Sequence, residues 1–329
     1  MWSRRTRLFH APQHPVVDDA RRQCLAATAG MAAVAARMAE RKPTADDWNS
    51  LFQHLRHAYR AAQCTLLSVP LDAYAARFGE RAVRDRSFVN IGAGRGWTHP
   101  AWRAVDLDTA RPSSDDYLVI NLRGAPRLPM ADDSVKLVYS SHCLEHLDDA
   151  SGAAVLAEAF RVLEPGGLIR LVLPDAALAL KAWRNGDREF WEALDAEFHH
   201  GASPTQCFLS FFAHPCSMLC PTTPHHYLAD HEVEDLFARL PADQAMDACV
   251  ARYPADLWLP AGPHLTWYDA PKLRRALADA GFVAITDSAF GQSEEPVLRD
   301  LLHFDFTSPE LSCHVEARKP VSTTVMPKP

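Results

Sequence analysis

The stretch Ser87-Phe-Val-Asn-Ile91 runs directly into Gly92-Ala-Gly-Arg-Gly96. A short apolar run of strand type ending in a glycine turn puts a loop beyond the carboxyl end of a strand, where open α/β sheets bind ligands. The chain has only 14 glycines against 24 prolines in 329 residues, so three glycines within five positions stand out from the background. Their spacing is G-x-G-x-G. The dinucleotide pattern G-x-G-x-x-G would need glycine at 97, where this chain has Trp97. That pattern also sets its acidic ribose partner ~20 residues on, with a pyrophosphate on the helix between. Here Asp106 comes sooner, and Pro100 interrupts the connection. A ligand with a ribose but no phosphate fits this loop better.

Outward from the loop, residues 102–107, 117–121 and 135–139 read as further strands, and an Ala-rich helix follows over 150–163. Pro165-Gly-Gly167 then reads as a turn before a fifth strand, 168–174. Strands separated by crossovers predict a parallel sheet with helices on its faces. A helix to about Trp183 follows, and 186–265 is rich in aromatics, histidines and prolines without clear strands. Regular structure resumes with a helix over 270–280, a strand over 282–289 and a last strand over 311–317. Before the sheet, 16–40 and the stretch after Thr44 read as helices. Thr44-Ala-Asp-Asp47 has the form of a capping box, and Leu51, Leu55, Tyr59 and Ala62 form one apolar stripe. No internal repeat is visible.

Four motifs in order, VNIGAGRGW, AVDLD, LPMADDSVKLVYSSHCLEHL and EAFRVLEPGGLIRLVLPD, resemble a class I S-adenosylmethionine-dependent methyltransferase over residues 87–175. The stretch DAGFVAITDSAFGQSEEPVLRD is similar to bacterial methyltransferase-domain proteins of biosynthetic type. The resemblance implies a Rossmann-like, doubly wound α/β sheet of the class I methyltransferase type; it does not cover the N-terminal helices, which the chain adds as an extension together with a large insertion between strands five and six. The expected division is 1–85 for the extension, 86–185 for the cofactor-binding core, 186–265 for an acceptor-binding insertion and 266–329 for the rest of the sheet. It further implies that Gly92, Gly94 and Gly96 admit the methionine end of S-adenosylmethionine and that Asp106 accepts from both ribose hydroxyls. Asn121 and Leu122 stand at the adenine position. Ser140, Ser141 and His142 stand after strand four, along the transfer cleft.

His142 and Asp175 are the candidates for a base. Each also has a structural reading, His142 as a donor to backbone and Asp175 as the N-cap of the next helix. His146 reads as a capping or packing residue and Cys143 as a small packed side chain. Cys216-x-x-x-Cys220 with His214, His225 and His226 invites a zinc reading, but no second cysteine pair follows, and no metal is expected. Phe208, Phe211 and Phe212 lie at helical spacing and read as core. Trp258, His264, Trp267 and Tyr268 are candidates for an apolar acceptor pocket.

Lys plus Arg number 34 and Asp plus Glu 41, a net charge of −7, which disfavours nucleic acid and points to a small-molecule acceptor. Neither a secretory leader nor an apolar run of bilayer length is seen. Eight scattered cysteines do not resemble a disulfide framework, so the expectation is a cytoplasmic enzyme with reduced thiols and no membrane partner. The N-terminal helices suit either a lid or a homodimer surface. The expected function is methyl transfer to an oxygen or nitrogen. The alternatives are an intramolecular cyclisation releasing methylthioadenosine and a non-catalytic cofactor-binding partner subunit.

Overall fold

The computed structural model describes residues 15–67, 71–94, 96–107, 113–194, 202–220, 227–253 and 262–321. The chain divides into two units, Met1–Pro70 with Pro296–Phe306, and Leu71–Glu295 with Thr307–Pro329.

The first unit contains helices α1 (Pro15–Glu40) and α2 (Ala45–Leu67). Thr44 caps α2 as its spacing predicts. The Asp47 amide donates to Thr44 Oγ at 3.3 Å, and the Asp47 carboxylate accepts from the Thr44 amide at 2.9 Å. Arg41 adds two hydrogen bonds to the same carboxylate, at 2.7 and 3.0 Å. The apolar stripe is less regular than predicted: Leu51 is half-buried, whereas Leu55 is exposed together with Trp48 and Phe52. The side chains of Tyr59 and Ala62 lie outside the described residues.

The second unit begins with α3 (Leu71–Phe78) and α4 (Glu80–Arg84). Strands β1 (Phe88–Ile91), β2 (Trp102–Asp106), β3 (Tyr117–Val119) and β4 (Val135–Ser141) follow, then α5 (Asp149–Val162) and β5 (Leu163–Pro174). Helices α6 (Ala176–Arg184), α7 (Arg188–Leu194), α8 (Pro204–Phe212), α9 (Asp230–Arg239), α10 (Ala242–Val250) and α11 (Ala270–Asp279) lead to β6 (Val283–Ser288) and β7 (Ser312–Arg318). The seven strands form one sheet in the order β3-β2-β1-β4-β5-β7-β6. Strands β1 to β5 run parallel, and β7 is antiparallel to both β5 and β6.

Every residue of β1 is buried, because a central strand covered on both faces reads as a continuous apolar run. On one face Phe88 packs with Tyr74 and Phe78 of α3 and with Trp102, whose indole donates to the Tyr74 hydroxyl at 3.1 Å. On the other, Val89, Ile91, Val105 and Val138 meet Val155 and Leu156 of α5 and Leu273 and Leu277 of α11. Each such aliphatic side chain contributes about 1.5–3 kcal/mol by leaving water. A second apolar cluster joins α6 to α10 through Ala179, Trp191, Phe208, Phe212, Val233 and Met246. Phe208 and Phe212 are therefore core, with Phe211 half-buried against them.

Two local expectations change. Pro165-Gly-Gly167 is not a turn ahead of β5 but lies inside it. The β4–β5 register shifts between Val135 and Leu137, and Gly166 sits at φ 83°, so the segment is a bulge. β4 also extends to Ser141, so Ser140 and Ser141 belong to the strand. No helix among the described residues is long and apolar enough to cross a membrane.

Candidate functional site

The amides of Gly92 and Ala93 both donate to the Val105 carbonyl, at 2.8 and 3.2 Å, which pins the start of the glycine loop to β2. Gly92, Gly94 and Gly96 have φ of 71°, 77° and 89°, the left-handed region that side chains disfavour. Their surroundings differ. A Cβ on Gly92 would come closer than 3.0 Å to Cβ and Sγ of Cys143, whereas one on Gly94 or Gly96 would meet nothing within 4 Å. Gly92 thus makes room for the turn after β4, and Gly94 and Gly96 leave an open face.

Asp106 ends β2 beside this loop. Its Oδ2 accepts from the Gly94 amide at 2.6 Å and its Oδ1 from the Leu107 amide at 2.6 Å. A carboxylate oxygen has two lone pairs, so both oxygens can still accept from a diol. Two buried polar atoms near the strand ends, Asn90 Oδ1 and Ser141 Oγ, have no hydrogen-bond partner among the described residues. An open glycine face, a fixed carboxylate with spare acceptor capacity and orphaned polar atoms fit a ribose-bearing ligand.

Asn121 and Leu122 lie just beyond β3. Asn121 is exposed and its Oδ1 accepts from the Arg123 amide at 3.0 Å. Leu122 is buried in the main core with Val89 and Val105. Cys143 is buried, which pushes its thiol pKa up and suits a packing role. Ser140 is a buried β4 residue.

His142 follows β4 with its amide bonded to the Val172 carbonyl at 2.9 Å and φ at 48°, an uncommon conformation for a non-glycine residue. Its Nε2 lies 2.8 Å from Ser312 Oγ, and Ser312 donates its own proton to the Ser308 carbonyl at 2.8 Å. His142 Nε2 is therefore the donor to Ser312, the ring also hydrogen-bonds the Thr307 backbone, and Nδ1 lies 3.5 Å from Glu145 Oε1. Burial, reinforced by neighbouring His146 and His314, lowers the His142 pKa to about 4, so the ring is neutral near pH 7. Asp175 caps α6, accepting from the Ala177 amide at 3.0 Å, and burial raises its pKa. Among the described residues no hydrogen bond or ion pair joins Asp175 to His142.

Glu145 and His264 went unread as partners in the sequence. Glu145 is 2% exposed, neither of its carboxylate oxygens has a hydrogen-bond partner among the described residues, and burial raises its pKa to about 8. The amides of Leu265 and Thr266 donate to the Glu145 carbonyl at 2.6 and 3.3 Å, which brings His264 to the turn after β4. The spacing His142-x-x-Glu145-His146 is visible in the chain, but nothing local announces that His264 joins it.

Trp267 and Tyr268 line a cavity of about 430 Å³, but Asp149, Asp243, Asp247 and Lys272 share its walls and His264 does not. Trp258 lies outside the described residues, as do His225 and His226. Cys216 is buried and its Sγ donates to the Cys249 carbonyl at 3.4 Å.

A mixed seven-stranded sheet flanked by helices, with a glycine loop after β1 and an acid at the end of β2, has the architecture of a Rossmann-like class I methyltransferase. Residues 89–171, about a quarter of the chain, match the family model described as a methyltransferase domain. Over this segment the chain is similar to the class I S-adenosylmethionine-dependent methyltransferases, and the match supports S-adenosylmethionine as the cofactor. A search of curated proteins found no match.

Among solved structures, the chain is similar to an S-adenosylmethionine-dependent methyltransferase from Mesorhizobium loti, at 18% identity and a TM-score of 0.34 over 70% of this chain and 90% of that one. A possible histamine N-methyltransferase from Thermotoga maritima gives 12% identity and a TM-score of 0.34 over 76% and 96%. The complex of the Haloferax volcanii Trm112 methyltransferase activator with a methyltransferase described as putative gives 15% and 0.32 over 76% and 96%. Likenesses at these TM-scores say nothing of this chain's acceptor or partners.

Proposed function

We propose that the protein transfers the methyl group of S-adenosylmethionine to an oxygen or nitrogen of a small-molecule acceptor in a biosynthetic reaction. The observation that supports this reading best is the pairing of Asp106 with the Gly94 amide at the mouth of the sheet. It ties the ribose-binding acid to the open face of the loop. Bound S-adenosylmethionine supplies a methyl group activated by the sulfonium charge. The protein's part is then to hold donor and acceptor in line and exclude water.

Gly94 and Gly96 admit the methionine end, Asp106 takes the ribose hydroxyls, and Asn121 borders the adenine. Ser140 and Ser141 line the floor at the end of β4. The acceptor enters between the turn that carries His142 and the segment 262–268. His142, neutral near pH 7, accepts or relays a proton from an acceptor hydroxyl or ammonium. Asp175 orients the acceptor from the start of α6. A chain with net charge −7 suits a small acceptor better than a polyanion.

The test is mass spectrometry of the spent cofactor after incubation with isotopically labelled S-adenosylmethionine and a metabolite extract. The expected product is S-adenosylhomocysteine with label in one acceptor. Methylthioadenosine, or no turnover by a protein that binds the cofactor, would overturn methyl transfer.

A further inference from the structure

The turn after β4 brings together side chains whose hydrogen-bonding roles do not close. His146 Nδ1 lies 3.1 Å from the Pro263 carbonyl and His264 Nδ1 lies 2.6 Å from the Phe211 carbonyl. A carbonyl only accepts, so in the neutral rings each Nδ1 carries the proton, leaving Nε2 the lone pair; the His146 ring also meets the Gly262 backbone. The two rings meet edge to face with centroids 4.9 Å apart. Beside them lies Glu145, a buried carboxyl group without a donor to either oxygen among the described residues, with Oε1 3.8 Å from His146 Nε2. One ligand atom from each of Glu145, His146 and His264 lies within 4.8 Å of the other two. His142 Nδ1 lies 3.5 Å from the same carboxyl group. Lone pairs therefore converge on a buried carboxyl group that has no hydrogen-bond partner for either oxygen among the described residues, and burying such a polar group unpaired is costly.

We propose that Glu145, His146 and His264 bind one divalent first-row transition ion of the zinc type. Two imidazoles and a carboxylate form a donor set suited to such an ion and poor for magnesium, which takes oxygen ligands. Backbone carbonyls on both Nδ1–H groups are the supports that ligating histidines need, fixing the tautomer and the ring plane. Three protein ligands leave a coordination position open. The site also abuts the cofactor loop: Cys143, two residues before Glu145, is the side chain that Gly92 makes room for. Its open position suits an oxygen of the acceptor. That assignment rests on the methyltransferase reading, whereas ion binding itself does not.

The proposal departs from the expectation of no metal. That expectation weighed the cysteine pair at 216 and 220, whereas the ligands that assemble come from β4's turn and a distant loop.

The test uses full-length protein stripped with a chelator and titrated with Co²⁺, followed by visible absorption and by zinc competition. We expect one cobalt per chain with d–d bands of nitrogen–oxygen coordination, displaced by zinc. His264→Ala and Glu145→Gln should each weaken binding by about tenfold or more. The control His231→Ala, at an exposed residue of α9, should bind as wild type does. Circular dichroism and S-adenosylmethionine titration on each variant separate loss of the site from loss of the fold. Wild-type protein that takes up no cobalt, or cobalt binding unchanged in both ligand variants, would overturn the site. In that event Glu145 is held as a neutral acid donating to an imidazole. Ion binding without S-adenosylmethionine binding would instead overturn the methyltransferase reading and leave the metal site standing.

Discussion

Replacing Gly92 by alanine separates two demands that the cofactor loop makes on its glycines. Gly92→Ala must hold a side chain at φ 71°, which costs about 1–2 kcal/mol for a left-handed residue. It must also place a Cβ closer than 3.0 Å to Cβ and Sγ of Cys143, and overpacking of this kind costs about 1–3 kcal/mol more. Gly94→Ala meets the first cost at φ 77° without the second, because its Cβ would point into open space. Urea denaturation should therefore show Gly92→Ala destabilised by roughly 2–5 kcal/mol and Gly94→Ala by about 1–2 kcal/mol. Cys143→Gly removes both clashing atoms, so a double-mutant cycle between 92 and 143 should give a favourable coupling of about 1–3 kcal/mol. The cofactor readout should divide the other way. Gly94→Ala occupies the open face and should weaken S-adenosylmethionine binding more than Gly92→Ala does, although it is the less destabilised of the two. Equal destabilisation by the two alanines, with no coupling to Cys143, would refute this account of the loop.

Polar contacts that hold the sheet unit together supply further measurements. Arg170 and Glu316 pair across β5 and β7 at 2.8 Å, 0% and 2% exposed, and Arg170 also donates to Ser288 Oγ and the Ala289 carbonyl. Glu316→Gln leaves the buried guanidinium without its carboxylate and should cost about 3 kcal/mol by thermal or urea unfolding; a change below about 0.5 kcal/mol would contradict it. Glu158 accepts from Arg161, Arg127 and the Leu128 amide, and the Arg161 hydrogen bond leads in lowering its pKa to about 2. A lowered carboxylate pKa contributes stability above the unfolded value, lost as pH falls from about 4.5 through about 2. Glu158→Gln should therefore remove about 1–2 kcal/mol near pH 7, after solvent screening, and flatten the acid limb of the stability profile; parallel wild-type and variant profiles would argue against the pairing.

The sheet was legible where the signal is local. An apolar run ending in glycines reports a buried strand and its turn, and Thr44 with Asp47 reports a helix start, because neighbours in sequence make those contacts. The Pro165-Gly-Gly167 segment misled because its composition is that of a turn, yet pairing with β4 holds it in a bulged strand. Composition does not record which strand lies alongside. The same limit hid the partner of Gly92: a glycine says that something comes close, and only the fold says that it is Cys143. Glu145 and His264 were illegible for the strongest form of this reason. Two backbone hydrogen bonds from a distant loop bring them together, and neither residue's neighbours announce it.

The measurement that bears most directly on the central claim is a calorimetric titration of S-adenosylmethionine into wild-type protein and Asp106→Ala, with NADH in parallel. The carboxylate offers charge-assisted hydrogen bonds to the ribose, each worth about 1.5–3 kcal/mol. Wild type should bind one S-adenosylmethionine per chain and no NADH, and Asp106→Ala should lose at least about tenfold in affinity. Unchanged affinity in the variant, or saturable NADH binding by a wild type that ignores S-adenosylmethionine, would contradict the account.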